Sequence, residues 1–360
     1  MSSISVLEVV RKVEEAPLEE LVQVSIDEVQ VQMDSYLDPE VDSAALYRRW
    51  EKQQWAVADL DFRQDVVHWS ALSDGQREAI QRTMTLFFIG EQAVTDTLGP
   101  ILHAAEHEDE RVFLATQIAD EARHTVFFAR FFDEVLDVHG GLHAALAAVG
   151  PKATAGFRKI FETHLADATD LVRREPRNKR AWVEAIVTYH LVIEGYLAIG
   201  GMRNLLRFFR QVGLMPGFTT GFTAVARDES RHIGFGVLAL RRRVVEDPEV
   251  GRWVTLKVLD LLEPMVQTVI NPDNRLNLPD PATIPAEQRL NPLEFREFQI
   301  ASLNKRLRSV GLADRTLDDI ATAIRGYYDQ FWAQYEGTHG VEHPVRWYQR
   351  EVAGAESAAS

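Results

Sequence analysis

The chain contains no cysteine among its 360 residues, which excludes disulfides, thiolate metal sites and cysteine nucleophiles together. Any metal held here must therefore be held by oxygen and imidazole. Positive charge is also scarce: 39 Lys and Arg face 54 Asp and Glu, for a formal net charge of -15. A phosphate backbone demands clustered cations, so no nucleic-acid partner is expected, and the patch Arg241 to Arg243 reads as a solvated helix end. No uninterrupted apolar run approaches the ~20 residues that span a bilayer. The opening MSSISVLEVVRKVEEAPLEE is too acidic for a secretory signal, so the expectation is a cytoplasmic protein with no transmembrane segment. There is no glycine-rich phosphate loop either. What is present is 46% hydrophobic content, ample for one large core with appendages.

That apolar background makes a few charged residues conspicuous. The stretch DEARHTVFFARFF, Asp120 to Phe132, places Glu121 and His124 three residues apart in a greasy helical run. Residues three apart share a helix face, so both can point at one spot. A twin, RDESRHIGFG from Arg227 to Gly236, repeats the spacing with Glu229 and His232. Glu91 lies in the middle of a stripe formed by Met84, Phe87, Phe88, Val94 and Leu98, and Glu194 lies among Val187, His190, Leu191, Leu197 and Ala198. Burying four glutamates and two histidines together is strongly unfavourable unless cations compensate them. Two Glu-x-x-His helices plus two helices with one inward glutamate each are the ligand set of a dimetal site in a ferritin-like bundle. Hard oxygen donors with one imidazole per metal suit iron or manganese, whereas zinc would favour more histidine or thiolate.

The pattern predicts an all-α chain. Residues 1–45 form an acidic, weakly patterned N-terminal extension broken at Pro17 and Pro39 and expected to be partly mobile or to lie across the outside. Residues 46–270 form the ferritin-like dimetal-binding domain, residues 271–350 a C-terminal extension with short helices, and 351–360 a disordered tail. The first ligand helix should start at Ser73 and Asp74 and break at Gly99 and Pro100. The second runs from about Arg111 to Val138, the third follows the turn PRNKR, and the fourth begins near Phe218 and ends near Glu246. Another helix is expected between Leu142 and Arg180 and one from Glu249 to Ile270. A proline-rich excursion over 271–292 precedes two C-terminal helices, Pro292 to Val310 and Leu317 to Tyr335.

Over roughly residues 50–265 the sequence resembles the ribonucleotide reductase small-subunit superfamily. The resemblance carries Glu91, Glu121, His124, Glu194, Glu229 and His232 onto that family's six metal ligands. It carries Trp55 and Asp228 onto the tryptophan and aspartate that hydrogen-bond outward from the metal-bound histidine, fixing the ring of His124. Phe128, beside the expected cofactor, stands where reductases usually carry a radical tyrosine, and a phenylalanine cannot store a neutral radical. Within GEQAVT and TYHLVIEG, Val94 and Tyr189 match the pair joined by an ether cross-link in the ligand-binding oxidases similar to that subunit. Tyr189 precedes Glu194 by five residues, about 500° on a straight α-helix, so a π-bulge is needed to bring it onto the same face. His190 replaces the asparagine commonly found there; its role is left open, and one turn before Glu194 it could serve as an added outer donor.

The resemblance implies an oxidase that assembles manganese and iron, with di-iron left open, and activates dioxygen for C–H oxidation, the Val94–Tyr189 cross-link included. It further implies a long-chain fatty acid with its carboxylate at the metals, and a homodimer. The alternative is a reductase small subunit lacking a radical tyrosine, which would need a large-subunit partner bound through its C-terminal tail. RWYQREVAGAESAAS has no acidic-aromatic docking signature, although Trp347 and Tyr348 keep that reading open. An iron-storage protein would be a much shorter chain without the Val94 and Tyr189 pair.

Overall fold

Helix starts are written into the chain as capping boxes. Ser5, Ser25 and Ser73 each accept from the backbone N–H three residues on, while Glu8, Glu28 and Gln76 reach back to the cap N–H. The computed structural model describes residues 5–141, 143–144, 147, 153–272, 291–343 and 345–350, and among them there is no strand. Helices α1 (Val6–Glu15), α2 (Ile26–Ser35), α3 (Ser43–Lys52) and α4 (Arg63–Ala71) lead into the four long helices of a ferritin-like bundle. Those four are α5 (Asp74–Ala104), α6 (Glu108–Glu134), α8 (Lys179–Val212) and α9 (Pro216–Glu246). Between α6 and α8, the segments Ala155–Arg158, Lys159–Leu165 and Ala166–Arg174 run on as α7, with a π turn in the middle. Helices α10 (Glu249–Val269), α11 (Pro292–Val310) and α12 (Asp314–His339) pack around the outside of the bundle.

Three expectations need correction. The N-terminal extension does not lie loosely across the outside: Val13, Leu21, Val29 and Met33 are fully buried and share one core with Phe128, Phe222 and Val225. Its helices are ten residues or shorter and separated by turns, so no single apolar period runs through them. Second, α5 does not break at Gly99 and Pro100 but continues to Ala104. A proline removes one helical N–H bond, and here packing offsets that loss, because Leu98 and Ile101 are fully buried and the Trp182 indole donates to the Ile101 carbonyl at 2.9 Å. Third, α6 stops at Glu134, four residues before Val138, where Asp137 turns left-handed at φ 60°. Among the described residues, one helix is long and apolar enough by length and composition to cross a membrane: α8, the carrier of Glu194. Of its most apolar window, 83% is buried inside the protein, so its apolarity is explained by core packing. Residues 273–290 of the expected excursion and the tail 351–360 lie outside the described residues.

Two local features aim the ligand helices. The middle of α8, Val187–Ala198, is a π-helix, whose wider turn brings residues five apart nearly into line. The start of α9 has no cap of its own, since Met215 at that position is left-handed at φ 52°. Asp65 of α4 caps it from outside, accepting from the N–H groups of Gly217 at 2.9 Å and Phe218 at 2.6 Å. Burial still pushes the Asp65 carboxyl up to about 6, and the two N–H donors only partly oppose it.

Candidate metal centre

The four helices deliver six side chains to one buried point. One donor atom from each of Glu91, Glu121, His124 and Glu229 lies within 4.8 Å of the others, and the same holds for Glu121, Glu194, Glu229 and His232. Glu121 and Glu229 belong to both groups, so the two sets of four share two carboxylates. Both imidazoles present Nδ1 to the cluster. His124 Nδ1 is 3.3 Å from Glu91, 3.4 Å from Glu229 and 3.5 Å from Glu121. His232 Nδ1 is 3.2 Å from Glu121 and 3.4 Å from both Glu194 and Glu229.

The far side of each ring is held by an aspartate from the opposite motif. His124 Nε2 lies 3.2 Å from Asp228, which also accepts from the Trp55 indole at 2.9 Å. His232 Nε2 lies 3.2 Å from Asp120, which accepts from the Trp50 indole at 2.9 Å. Arg231 bridges the two aspartates, at 2.5 Å from Asp228 and 3.1 Å from Asp120, and Arg123 bonds both as well. The Trp55 and Asp228 pairing is the one expected. Its mirror image through Trp50 and Asp120 was missed, although the sequence carried the aspartate half of it: DEARH and DESRH agree at four of five positions, so a role for Asp228 and Arg231 implies one for Asp120 and Arg123.

Burial and the charges of neighbouring groups shift the titration of Glu91, Glu121, His124, Glu194 and His232. Burial pushes Glu91 up to about 8, with His124 opposing, and holds Glu194 well above the carboxylate range, with Glu229 adding to the rise. Burial would strip both histidines of charge, but for His124 the field of Glu91 and the bond to Asp228 outweigh it, and for His232 Glu229 and Asp120 do the same. Both rings are held well above the usual histidine value. In Glu121 the two imidazolium neighbours overcome burial and depress the carboxyl. Carboxylates and imidazoles ligate a metal in their deprotonated forms, so metal binding here would release protons.

The donor set fits such cations. Glu194 Oε2, Glu229 Oε2 and His232 Nδ1 are buried and hydrogen-bond no neighbour, an arrangement that is costly unless something electrophilic sits between them. The remaining expected residues also gather here. The Tyr189 hydroxyl donates to Glu121 at 2.6 Å, brought round by the π-helix, and accepts from Gln117 at 3.2 Å. Val94 and Tyr189 line one cavity of about 210 Å³ with Glu91, Glu121, Glu194 and Glu229, and with the apolar side chains of Leu86, Phe87, Phe161 and Ile193. Phe128 is fully buried in an aromatic cage, 5.1 Å from Phe127 and 5.8 Å from Phe222 between ring centroids.

A four-helix bundle that turns two Glu-x-x-His pairs and two single glutamates inward is a ferritin-like carboxylate protein. The chain belongs to the ribonucleotide reductase small-chain family, whose family model matches residues 30–268. Among solved structures it is similar to two point variants of an R2-like ligand-binding oxidase, one anaerobically and one aerobically reconstituted with a Mn/Fe cofactor. Each is 24% identical over 76% of this chain and 94% of the other, with TM-scores of 0.64 and 0.65.

Proposed function

We propose that this chain is a dioxygen-activating oxidoreductase of the ligand-binding oxidase kind, with Glu91, Glu121, His124, Glu194, Glu229 and His232 as ligands to a manganese and an iron ion. The observation that carries the reading is the sharing of Glu121 and Glu229 by both donor groups, which suits two cations about 3.5–4 Å apart rather than one. Bound, the pair would supply the oxidising power to break a strong C–H bond. The protein's own contribution is positional. Asp120 and Asp228 hold the ring N–H groups so that both Nδ1 lone pairs face inward. The Tyr189 O–H, already donating to Glu121, has a carboxylate ready to receive its proton. Apolar side chains make up most of the cavity wall around the reacting groups.

The same cavity suits a long-chain fatty acid, its carboxylate at the glutamate-lined metals and its tail against Leu86, Phe87 and Phe161. Val94 and Tyr189 on its wall are the residues for an ether cross-link. Forming it breaks the Val94 Cβ–H and Tyr189 O–H bonds, makes one C–O bond, and passes two protons and two electrons to dioxygen. We read the chain further as a cytoplasmic homodimer. Family membership alone also supports a reductase small subunit without a radical tyrosine. Phe128 argues against it, because its cage of phenylalanines holds no phenol.

Peptide mass spectrometry after assembly with both metals tests the oxidase reading. Aerobic samples should lose two hydrogens in a linked pair of peptides spanning 94 and 189, and anaerobic samples should not. Separate, unmodified peptides in an oxygen-exposed sample shown to hold both metals would count against this branch. Nucleotide reduction on mixing with a reductase large subunit from the same cell would establish the alternative.

A further inference from the structure

His190 occupies a place shaped for an imidazole. It is fully buried in the π-helix, its ring 4.6 Å from that of Tyr189 and 5.5 Å from that of Phe235 between centroids. Gly236 on α9 makes the room: a Cβ there would come within 2.2 Å of the His190 Cβ. The ring's one side-chain hydrogen bond joins Nε2 to Gln117 Oε1 at 3.0 Å. Gln117, itself fully buried, turns its NH2 group the other way, donating to Glu194 Oε1 at 2.9 Å and to the Tyr189 oxygen at 3.2 Å. An amide has one oxygen and one nitrogen, so its orientation is binary. With the nitrogen facing Glu194 and Tyr189, the oxygen faces His190, and Nε2 must carry the proton.

We propose that His190 is a positioning residue that locks the Gln117 amide, through the Nε2–H to Oε1 bond, in the orientation that orders Glu194 and the Tyr189 oxygen. Were Gln117 to flip, its oxygen would face the Glu194 carboxylate and no donor would reach the tyrosine oxygen. Of the four glutamates, Glu194 is the one Gln117 bonds, and it belongs only to the donor group containing His232. The effect is therefore confined to one side of the centre.

The inference rests on the dimetal reading, and the test separates the two. Anaerobic Mn2+ binding to the metal-free full-length chain would be followed by calorimetry and electron paramagnetic resonance in the wild type and in His190→Phe, His190→Gln and Gln117→Met. Loss of an outer hydrogen-bonding partner typically weakens metal affinity about 10–100-fold. His190→Phe and Gln117→Met should weaken one of the two binding events by that factor and leave the other unchanged. His190→Gln, which places an amide N–H the same number of bonds from the backbone, should restore most of the loss. If His190→Phe fails to fold, His190→Leu carries the same prediction, and Gln117→Met shows the effect of losing the amide itself. Two normal binding events in every variant, or equal weakening of both, would overturn the positioning role while leaving the dimetal reading intact. A wild-type chain that binds no Mn2+ would end both.

Discussion

Asp120→Asn is the substitution whose cost follows most directly from the geometry. The carboxylate is 1% exposed, and four donors converge on its two oxygens. The Trp50 indole and Arg123 bond Oδ1, and Arg231 and His232 bond Oδ2. A carboxylate accepts on both sides, whereas asparagine accepts on one and donates on the other. Whichever way the amide turns, two donors must face its NH2 group. The cheaper choice sets that group against Trp50 and Arg123, since Trp50 is only half-buried and Arg123 retains Asp228 and Gln54 as partners. Hydrogen bonds involving a charged group contribute about 1.5–3 kcal/mol each, and compensation at Arg123 lowers the sum, so urea unfolding of the metal-free protein should show a loss of about 2–4 kcal/mol. The weaker hold on the His232 N–H should also reduce metal affinity on that side about 10–100-fold. Asp228→Asn should mirror both effects on the His124 side, where the Trp55 indole, His124 and Arg123 share one oxygen and Arg231 takes the other. An Asp120→Asn protein as stable as the wild type, with unchanged Mn2+ binding, would refute the assignment of Asp120 as the partner of His232.

Stability of the metal-free protein should depend on pH with a definite sign. Folded Glu91 titrates near 8 against 4.5 for the free side chain, so the folded state keeps a proton that the unfolded chain has released, and stability falls as pH rises through that window. His124 and His232, both raised, contribute stability present below the ordinary histidine value and lost as pH rises through their folded values, which is the same direction. Calorimetry should find the melting temperature falling across this range without metal and much flatter with metal bound, and a rise with pH in the metal-free protein would contradict the reading. Asp65→Ala should cost about 0.5–2 kcal/mol by uncapping α9, read as a shifted urea midpoint at constant slope. Phe128→Tyr, adding a hydroxyl inside a cage of phenylalanines, should cost about 1–3 kcal/mol, and unaltered stability would mean that the cage holds an unseen acceptor.

Much of the site was legible because burying charge is expensive. A glutamate inside an apolar stripe stands out wherever the stripe is long and regular, as for Glu91 on α5 and Glu194 on α8, and the two Glu-x-x-His pairs fix their partners by spacing alone. The offset of Tyr189 from Glu194 was legible as a conflict with α-helical geometry, and the π-helix over Val187–Ala198 resolves it. What stayed hidden was held by contacts between distant segments. Trp50 sits on α3 seventy residues before its partner Asp120, and nothing near Trp50 in the sequence announces the bond. Gln117, a polar residue with no motif around it in the sequence, is the hub joining His190, Tyr189 and Glu194. The run of α5 through Pro100 was misread because a proline signals a local cost, while the packing of Ile101 and the Trp182 indole that offsets it is tertiary.

The central claim is that two metal ions share Glu121 and Glu229, and elemental analysis of the purified chain against its Glu121→Ala and His232→Ala variants tests it most directly. The wild type should hold two metal equivalents per chain. Glu121→Ala should lose both, because that carboxylate belongs to each donor group, and His232→Ala should lose stoichiometric binding on its own side. Metal content unchanged from the wild type in both folded variants would contradict the account.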